Sequence, residues 1–185
     1  MVKPDIKNGT VLLAEPFMLD PNFKRTAILL ADHTPEGTIG FIMNRPVDMR
    51  IDELVEDFPE LNAPVYFGGP VQTDTLHFLH RIGDLLADGH EIIPGIFMGG
   101  DYNQLKMLVK QGLVMPHDIR FYVGYTGWSE GQLIDECNYG SWITADMDIN
   151  YLFKSKPESL WQQVLINKGD LYSVIADIPD GAIFN

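Results

Sequence analysis

Apolar and polar positions alternate along the chain with the period of strands, interrupted by stretches with the longer period of amphipathic helices. Two apolar stretches near the N-terminus predict strands, TVLLAEPF and TAILLADHT. The turn at residues 35–37 then connects the second stretch to TIGFIMNRP, which predicts a β-hairpin because glycine supplies the turn conformation. Three later stretches predict further strands, VYFGGPV, LHFLHRI and IRFYVGY.

Glycine and proline punctuate the predicted helices. A short amphipathic helix over IDELVEDF ends at Pro59, and a longer one over GGDYNQLKMLVKQG has Asp101 as N-cap and Gly112 beyond its end. Two more helices are predicted near the C-terminus, PESLWQQVLINKG and DLYSVIADI. Because strands and helices alternate without a repeat or flexible linker, we predict one mixed α/β (α+β) domain over residues 1–185. Its helical C-terminal segment begins at about residue 155.

The stretch GYTGWSEGQL, residues 124–133, most resembles a functional loop. Its glycines, Gly124, Gly127 and Gly131, follow neither the dinucleotide-binding nor the phosphate-loop spacing, and no lysine lies among them. Ser129 and Gln132 have the spacing of a capping box, which predicts that a helix has its N-cap at Ser129. Apolar residues then follow at helical spacing, and a glycine at position 140 ends the helix.

This stretch has two interpretations. In the structural one, the glycines allow a strand to turn into a helix, and Trp128 packs over the joint. In the functional one, free N–H groups at the helix start hold an anion or planar ligand, with Trp128 as a platform. Glu130 already supplies a negative charge to the first turn, so the structural interpretation accounts for more of the residues.

Charge limits the partners of this chain. Twenty-six acidic and thirteen basic residues give a net charge of −13, and no basic cluster exceeds the pair Lys24–Arg25. Nucleic-acid binding depends on lysine and arginine at phosphates, and so negative a chain also repels anionic lipid. The composition therefore argues against nucleic acid and membrane as partners.

Several features favour the cytoplasm. The stretch MVKPDIKNGTVLLAEPF lacks the apolar segment of a signal peptide, and the longest aliphatic runs are too short to span a bilayer. Cys137 is the single cysteine, which excludes an internal disulfide. We therefore expect a cytoplasmic protein.

Few residues suggest chemistry. His33, before the hairpin turn, is either an acid–base group or a hydrogen-bonding anchor of the turn, and the second use is the commoner one. His77 and His80 would share a face on a helix but point to opposite sides on a strand, and no third ligand for zinc is nearby. Cys137 lies on the apolar side of its predicted helix, which predicts a buried thiol.

One acidic stretch imitates a metal-binding motif without completing it. Residues 146–150 read DMDIN, like the start of a calcium loop, but Tyr151 occupies the position that requires glycine. No serine lies in a G-x-S-x-G motif. We therefore predict no metal, no cofactor and no catalytic residue.

The order of several motifs resembles the AlgH/YqgE family of bacterial proteins. The stretch GYTGWSEGQLIDE and the later GSW are similar to the family signature, and they follow EPFMLDPNF, DHTPEGTIGFIMNRP, FGGPV, FLH and GGD in family order. The resemblance implies a bent or bifurcated β-sheet that forms a pseudo-barrel with flanking helices. It implies no assigned activity, since the family's label of transcriptional regulator rests on one member's genetic association with alginate regulation.

The recurring family residues are mostly glycines and prolines, which suits a fold with constrained turns. From them and the few recurring polar residues we select candidate positions for binding a ligand or partner: Asn44, Gly69, Pro70, Trp128, Gln132, His33 and His80.

Three hypotheses of function follow. The favoured one is a non-catalytic binding or regulatory protein that acts through an unknown small molecule or a protein partner. The second is a hydrolase or transferase that uses His33 or His80 with a carboxylate such as Glu136 or Asp101. The third takes the regulator label literally as direct DNA binding, which the net charge opposes.

Overall fold

The structure, a computed structural model, describes residues 4–182. Its strands are β1 (Val11–Ala14), β2 (Ala27–Thr34), β3 (Gly37–Ile42), β4 (Pro46–Arg50), β5 (Pro64–Phe67), β6 (Val71–His80), β7 (His90–Ile93), β8 (Ile96–Met98), β9 (Ile119–Ser129) and β10 (Trp142–Ala145). Its helices are α1 (Ile51–Leu54), α2 (Tyr102–Lys110), α3 (Gln132–Asn138), α4 (Ile149–Phe153), α5 (Leu160–Lys168) and α6 (Asp170–Ala176). None of these helices is both long and apolar enough to cross a bilayer.

The strands form one sheet that branches at its longest strand, β9. The main path runs β10-β1-β2-β3-β9-β6-β8-β7, while β5 and β4 leave it at β9. Residues 126–129 of β9 pair with β3, and residues before them pair with β5 and β6. The β5–β9 pair is parallel and the others are antiparallel. This branching confirms the bifurcated, mixed sheet that the family resemblance implied.

The sheet also curls, so that its far end approaches its beginning. Ile93 in β7 packs against the same hydrophobic cluster as β1 and β2. Its Cγ2 atom lies 2.2 Å from where a Cβ on Gly9 would be, so glycine is needed just before β1. The closure produces the pseudo-barrel shape.

The N-terminal strands are buried on both faces. Alternate side chains of β1 and β2 enter two different hydrophobic clusters, one beneath α4, α5 and α6 and the other beneath α3. A third cluster packs β6 and β9 against α1 and α2. Burial on both faces explains why VLLA and AILLA are continuous apolar runs rather than alternating ones.

Several predicted elements are confirmed. β2 and β3 form a hairpin with Thr34 opposite Gly37, and α5 and α6 form the helical C-terminal segment. Asp101 caps α2, its side chain accepting a hydrogen bond from Gln104 N at 3.0 Å. Gly112 follows α2 with a φ of +72°.

Two predicted helix boundaries are wrong. The helix predicted over IDELVEDF stops at Leu54, because the chain becomes extended at Val55 and carries Phe58 into the cluster shared with α2. Ser129 is not an N-cap, because it is the last residue of β9 and pairs with Gly37. α3 begins at Gln132, and its N-cap is Gly131 in the left-handed conformation.

The branch point of the sheet depends on glycines. Gly68 N donates to Val123 O and Gly68 O accepts from Ile42 N, both at 2.9 Å, so one residue connects β9 with the end of β3. Gly124 has a φ of +67°, and a Cβ there would lie 2.3 Å from Gly69 O. A side chain at position 124 would therefore overlap the backbone of the neighbouring branch.

We expect Gly124→Ala to lower the free energy of unfolding by roughly 2–5 kcal/mol, through strain at positive φ and overlap with Gly69 O. Urea unfolding followed by tryptophan fluorescence measures the loss. Gly112→Ala is the matched control, because Gly112 also has positive φ but no heavy atom lies within 4 Å of its Cβ position. It should cost about 1–2 kcal/mol. Equal losses in both variants would contradict the importance of close approach at the branch.

Candidate functional site

Glu136 is the hydrogen-bonding centre of the glycine-rich stretch. Its Oε2 accepts from Trp128 Nε1 at 2.9 Å and from Trp142 Nε1 at 2.8 Å. Its Oε1 accepts from Gln132 Nε2 at 2.9 Å. The two indole rings meet edge to face with centroids 6.0 Å apart. One carboxylate of α3 therefore holds tryptophans from two strands.

Glu136 thus brings Trp128 and Gln132 together, and both side chains serve to hold the fold. Trp128 is 6% exposed and packs with Leu133 in the cluster beneath α3, so its ring presents no open platform. Gln132 Oε1 accepts from Ser129 N at 3.0 Å, which satisfies the last N–H of β9. The structural interpretation therefore explains both side chains.

We expect Glu136→Ala to lower the free energy of unfolding by roughly 2–5 kcal/mol, because two buried indole N–H groups would lose their acceptor. Chemical denaturation measures the change. Glu130→Ala is the control from the same stretch, since Glu130 is exposed and forms no hydrogen bond or ion pair within residues 4–182. It should change stability by less than about 0.5 kcal/mol. A loss for Glu136→Ala as small as that would argue against this network.

His33 anchors the hairpin by hydrogen bonding, which is the commoner of the two uses considered for it from the sequence. Its Nδ1 lies 2.7 Å from Thr38 Oγ1 across the β2–β3 pair, and its backbone N donates to Asn8 Oδ1 at 2.7 Å. A small cavity of about 90 Å³ separates His33 from Ser129 and Gly131. His33 therefore lies near the start of α3, while its Nδ1 is engaged with the hairpin.

His80 is a core histidine. Its Nε2 donates to Gly99 O at 2.7 Å, its Nδ1 accepts from Ile82 N at 3.2 Å, and its ring stacks on Phe97 with centroids 5.6 Å apart. Burial lowers the pKa of His80, although the bond to Gly99 opposes this shift. Both ring nitrogens of the neutral side chain are therefore occupied.

The two candidate histidines are far apart. His80 is paired with Ile119 at one end of β9, whereas His33 is paired with Thr38, which is opposite Trp128 near the other end. At about 3.3 Å per residue, this separation along β9 is roughly 30 Å. They cannot act on one substrate group.

The buried histidine predicts a pH dependence of stability. Because the folded-state pKa of His80 is lowered, the unfolded chain takes up a proton first as the pH falls below about 6.5. Stability is complete above that pH and is lost below it, by up to about 1.4 kcal/mol per pH unit for each such histidine. The pKa of His77 is also lowered by burial, so His77 contributes with the same sign.

Compared with the wild type, we expect His80→Gln to have a smaller slope of unfolding free energy against pH between pH 7 and 5. Urea unfolding at several pH values measures both slopes. An unchanged slope in His80→Gln would show that His80 does not resist protonation.

An open cavity with a largely apolar lining follows β9. We call it the Tyr125 groove; it has a volume of about 500 Å³ and its lining includes Ile39, Val71, Tyr125, Gly127 and part of Trp128, with Asp32 and Glu36 also contributing. β6 begins at Val71, opposite Tyr125, so residues of β9 beyond that point have one side without a strand. The sequence signal for this site was weak, because these residues come from three separate stretches of the chain.

One backbone group of β9 is open towards this groove. Ser129 N points away from β3 to Gln132 Oε1, and Gly127, two residues earlier, faces the same way because strand residues alternate. By this alternation, and because β6 begins opposite Tyr125, we infer that the N–H and C=O groups of Gly127 face away from β3. The groove therefore combines apolar surface with an available peptide group.

Comparison with known proteins identifies the family. The profile described as DUF179, AlgH-like, matches residues 11–173. A UPF0301 protein of Chlorobaculum parvum is 43% identical over 175 residues, covering 95% of this chain and 94% of that protein. A UPF0301 protein of Bacteroides thetaiotaomicron is 34% identical over 178 residues, covering 96% of this chain and 90% of that protein.

The chain belongs to the AlgH-like family.

Solved structures agree with this membership. The solution structure of the AlgH protein from Pseudomonas aeruginosa matches with a TM-score of 0.74 and 28% identity, covering 98% of this chain and 99% of that one. A crystal structure of a Corynebacterium diphtheriae protein matches with a TM-score of 0.77, covering 96% and 95% of the two chains. At 19% identity the second match concerns the fold alone.

Three further candidate positions of this AlgH-like chain, Asn44, Gly69 and Pro70, lie at different places in the sheet. Asn44 bridges to β2, accepting from Ala27 N at 3.0 Å and donating to Arg25 O at 2.9 Å. Gly69 is buried at the branch of the sheet, while Pro70 is exposed beside the Tyr125 groove residue Val71.

The other side chains that could take part in chemistry, His77 and Cys137, have structural surroundings of their own. His77 lies on β6 with its Nε2 2.9 Å from Thr75 Oγ1. Cys137 is partly buried, and desolvation together with Glu136 raises its pKa to about 11, so the thiol stays protonated at neutral pH. Across residues 4–182, no group of three histidine, cysteine or acidic side chains could hold a metal ion.

Proposed function

We propose that this AlgH-like protein is a non-catalytic binding protein whose partner docks in the Tyr125 groove. The observation that carries the proposal is an open cavity of about 500 Å³ with a largely apolar lining, beside the end of β9 where β6 no longer pairs with it. Cavities of this size with few polar groups are the usual form of binding sites. Binding, rather than chemistry, is favoured because Glu136 and His80 are occupied within the fold.

Charge and backbone geometry indicate the chemistry of the partner. Asp32 and Glu36 line the groove, and the chain carries a net charge of −13, so a basic group is attracted and an acidic one repelled. The open peptide of Gly127 suits the backbone of an extended segment. A protein segment with alternating apolar and basic side chains therefore fits the groove.

The two other hypotheses have less support. A hydrolase or transferase would need a titratable pair, but His80 is in the core and Asp101 caps α2. His33 has an adjoining cavity, but that cavity, of about 90 Å³, holds only a few waters. Direct DNA binding is opposed by the net charge.

Binding of short synthetic peptides to the purified protein tests the proposal. Peptides with alternating apolar residues and lysine should bind, and versions with glutamate in place of lysine should not. Asp32→Asn combined with Glu36→Gln should weaken binding by about ten-fold and reduce its salt dependence, because the attraction would be lost. Val71→Ser should weaken binding by removing apolar contact.

The control is Glu56→Gln combined with Asp84→Asn, which removes the same charge from exposed positions outside the groove. Affinity unchanged by the groove variants, or reduced equally by the control pair, would refute docking at this site. Circular dichroism of each variant verifies that its fold is intact.

A further inference from the structure

A second cavity lies between β10 and the C-terminal helices, away from the Tyr125 groove. It has a volume of about 350 Å³, and its lining includes Thr10, Asp146, Tyr151, Val164, Asn167 and Lys168. We call it the helical cavity. At about 30 Å³ for each water in the liquid, its space corresponds to a molecule of roughly ten non-hydrogen atoms.

Two hydroxyl groups that line this cavity have no acceptor for their protons among residues 4–182. Tyr151, 7% exposed, accepts from Asn167 Nδ2 at 2.7 Å, so its own proton is directed elsewhere. Thr10, 5% exposed, accepts from Lys7 N at 3.1 Å and is in the same situation. Neither hydroxyl donates to any residue in the range 4–182. Two hydroxyl donors that line one cavity favour a ligand with acceptor oxygens.

The cavity lining carries two acidic and two basic side chains, and one side chain of each sign has no ion-pair partner within residues 4–182. Lys7 pairs with Asp5 at 3.6 Å, and both side chains are exposed. Lys168 contacts the ring of Tyr172, 4.8 Å from its centroid, but has no carboxylate partner among the described residues. Asp146 likewise has neither an ion pair nor a side-chain hydrogen bond there. A ligand with one anionic and one cationic group would complement both.

We propose that the helical cavity binds a small zwitterion of the α-amino-acid type. Its carboxylate would accept from the Lys168 ammonium and the hydroxyls of Tyr151 and Thr10, and its ammonium would pair with Asp146. A carboxylate offers about four acceptor positions, which suits several converging donors. A phosphate monoester fits less well, because its extra negative charge would face Asp146 without a counter-charge. Val164 and Ala145 supply apolar contact for a small side chain.

Titration calorimetry with the common L-amino acids, added singly to the full chain, tests the proposal. At least one should bind with a Kd of about 1 mM or tighter. Its methyl ester, which lacks the anion, and its N-acetyl derivative, which lacks the cation, should each bind at least about ten-fold more weakly. Absence of binding by every amino acid, or binding of either derivative as tight as that of the parent amino acid, would overturn the proposal.

Variants locate the site. Lys168→Met and Asp146→Asn should each weaken binding by about ten-fold, and Tyr151→Phe by a smaller factor, because each removes one ligand contact. Lys110→Met and Asp84→Asn are matched controls at exposed positions outside the cavity, and they should leave the affinity unchanged. Thermal unfolding of each variant separates lost binding from lost folding. Unaltered affinity in both Lys168→Met and Asp146→Asn would place the ligand elsewhere.

This site is independent of the proposed docking function. The combined Asp32→Asn and Glu36→Gln variant should bind the amino acid as the wild type does, since neither residue lines the helical cavity. A loss of amino-acid binding in that variant would overturn the assignment to this cavity. The peptide experiment therefore tests the Tyr125 groove alone, and the amino-acid experiment tests the helical cavity alone.

Discussion

The close approach of two backbone segments at Gly68 and Gly124 is the constraint on which the rest of the fold depends. No side chain fits between Gly124 and the carbonyl of Gly69, and the absence of one lets β9 exchange β5 for β3 within a few residues. Because β6 also begins at this level, one side of β9 is left without a strand. The Tyr125 groove is a direct consequence of the branch.

Several polar side chains singled out in the sequence act within the fold. Glu136 joins two tryptophans to α3, Asn44 bridges to β2, and His80 satisfies backbone groups at the end of β6. Each bond replaces water at a partly or fully buried group, which would otherwise destabilise the folded state. The contacts of these side chains are therefore accounted for by the architecture of the sheet and α3.

Surfaces left open by the sheet carry the two proposed sites. The Tyr125 groove lies where a strand is missing beside β9, and the helical cavity lies where α4 and α5 meet β10 at an edge of the sheet. The groove is apolar with two carboxylates, whereas the cavity is polar and balanced in charge. Partners of different chemistry follow from these two linings, an extended basic segment for one and a small zwitterion for the other.

The sequence by itself determined the elements whose signals are local. The β2–β3 hairpin, the cap of α2 by Asp101, and the C-terminal helices depend on turn residues and periodicity, which neighbouring residues supply. It also determined the family, through motifs spread along the chain. Only the tertiary structure decided that β9 continues to Ser129, because β3 supplies the pairing, and that short strands such as β10 form at all. It alone brought together Asp146, Tyr151 and Lys168, since a cavity is made by packing between elements and leaves no periodic signal in the residues that line it.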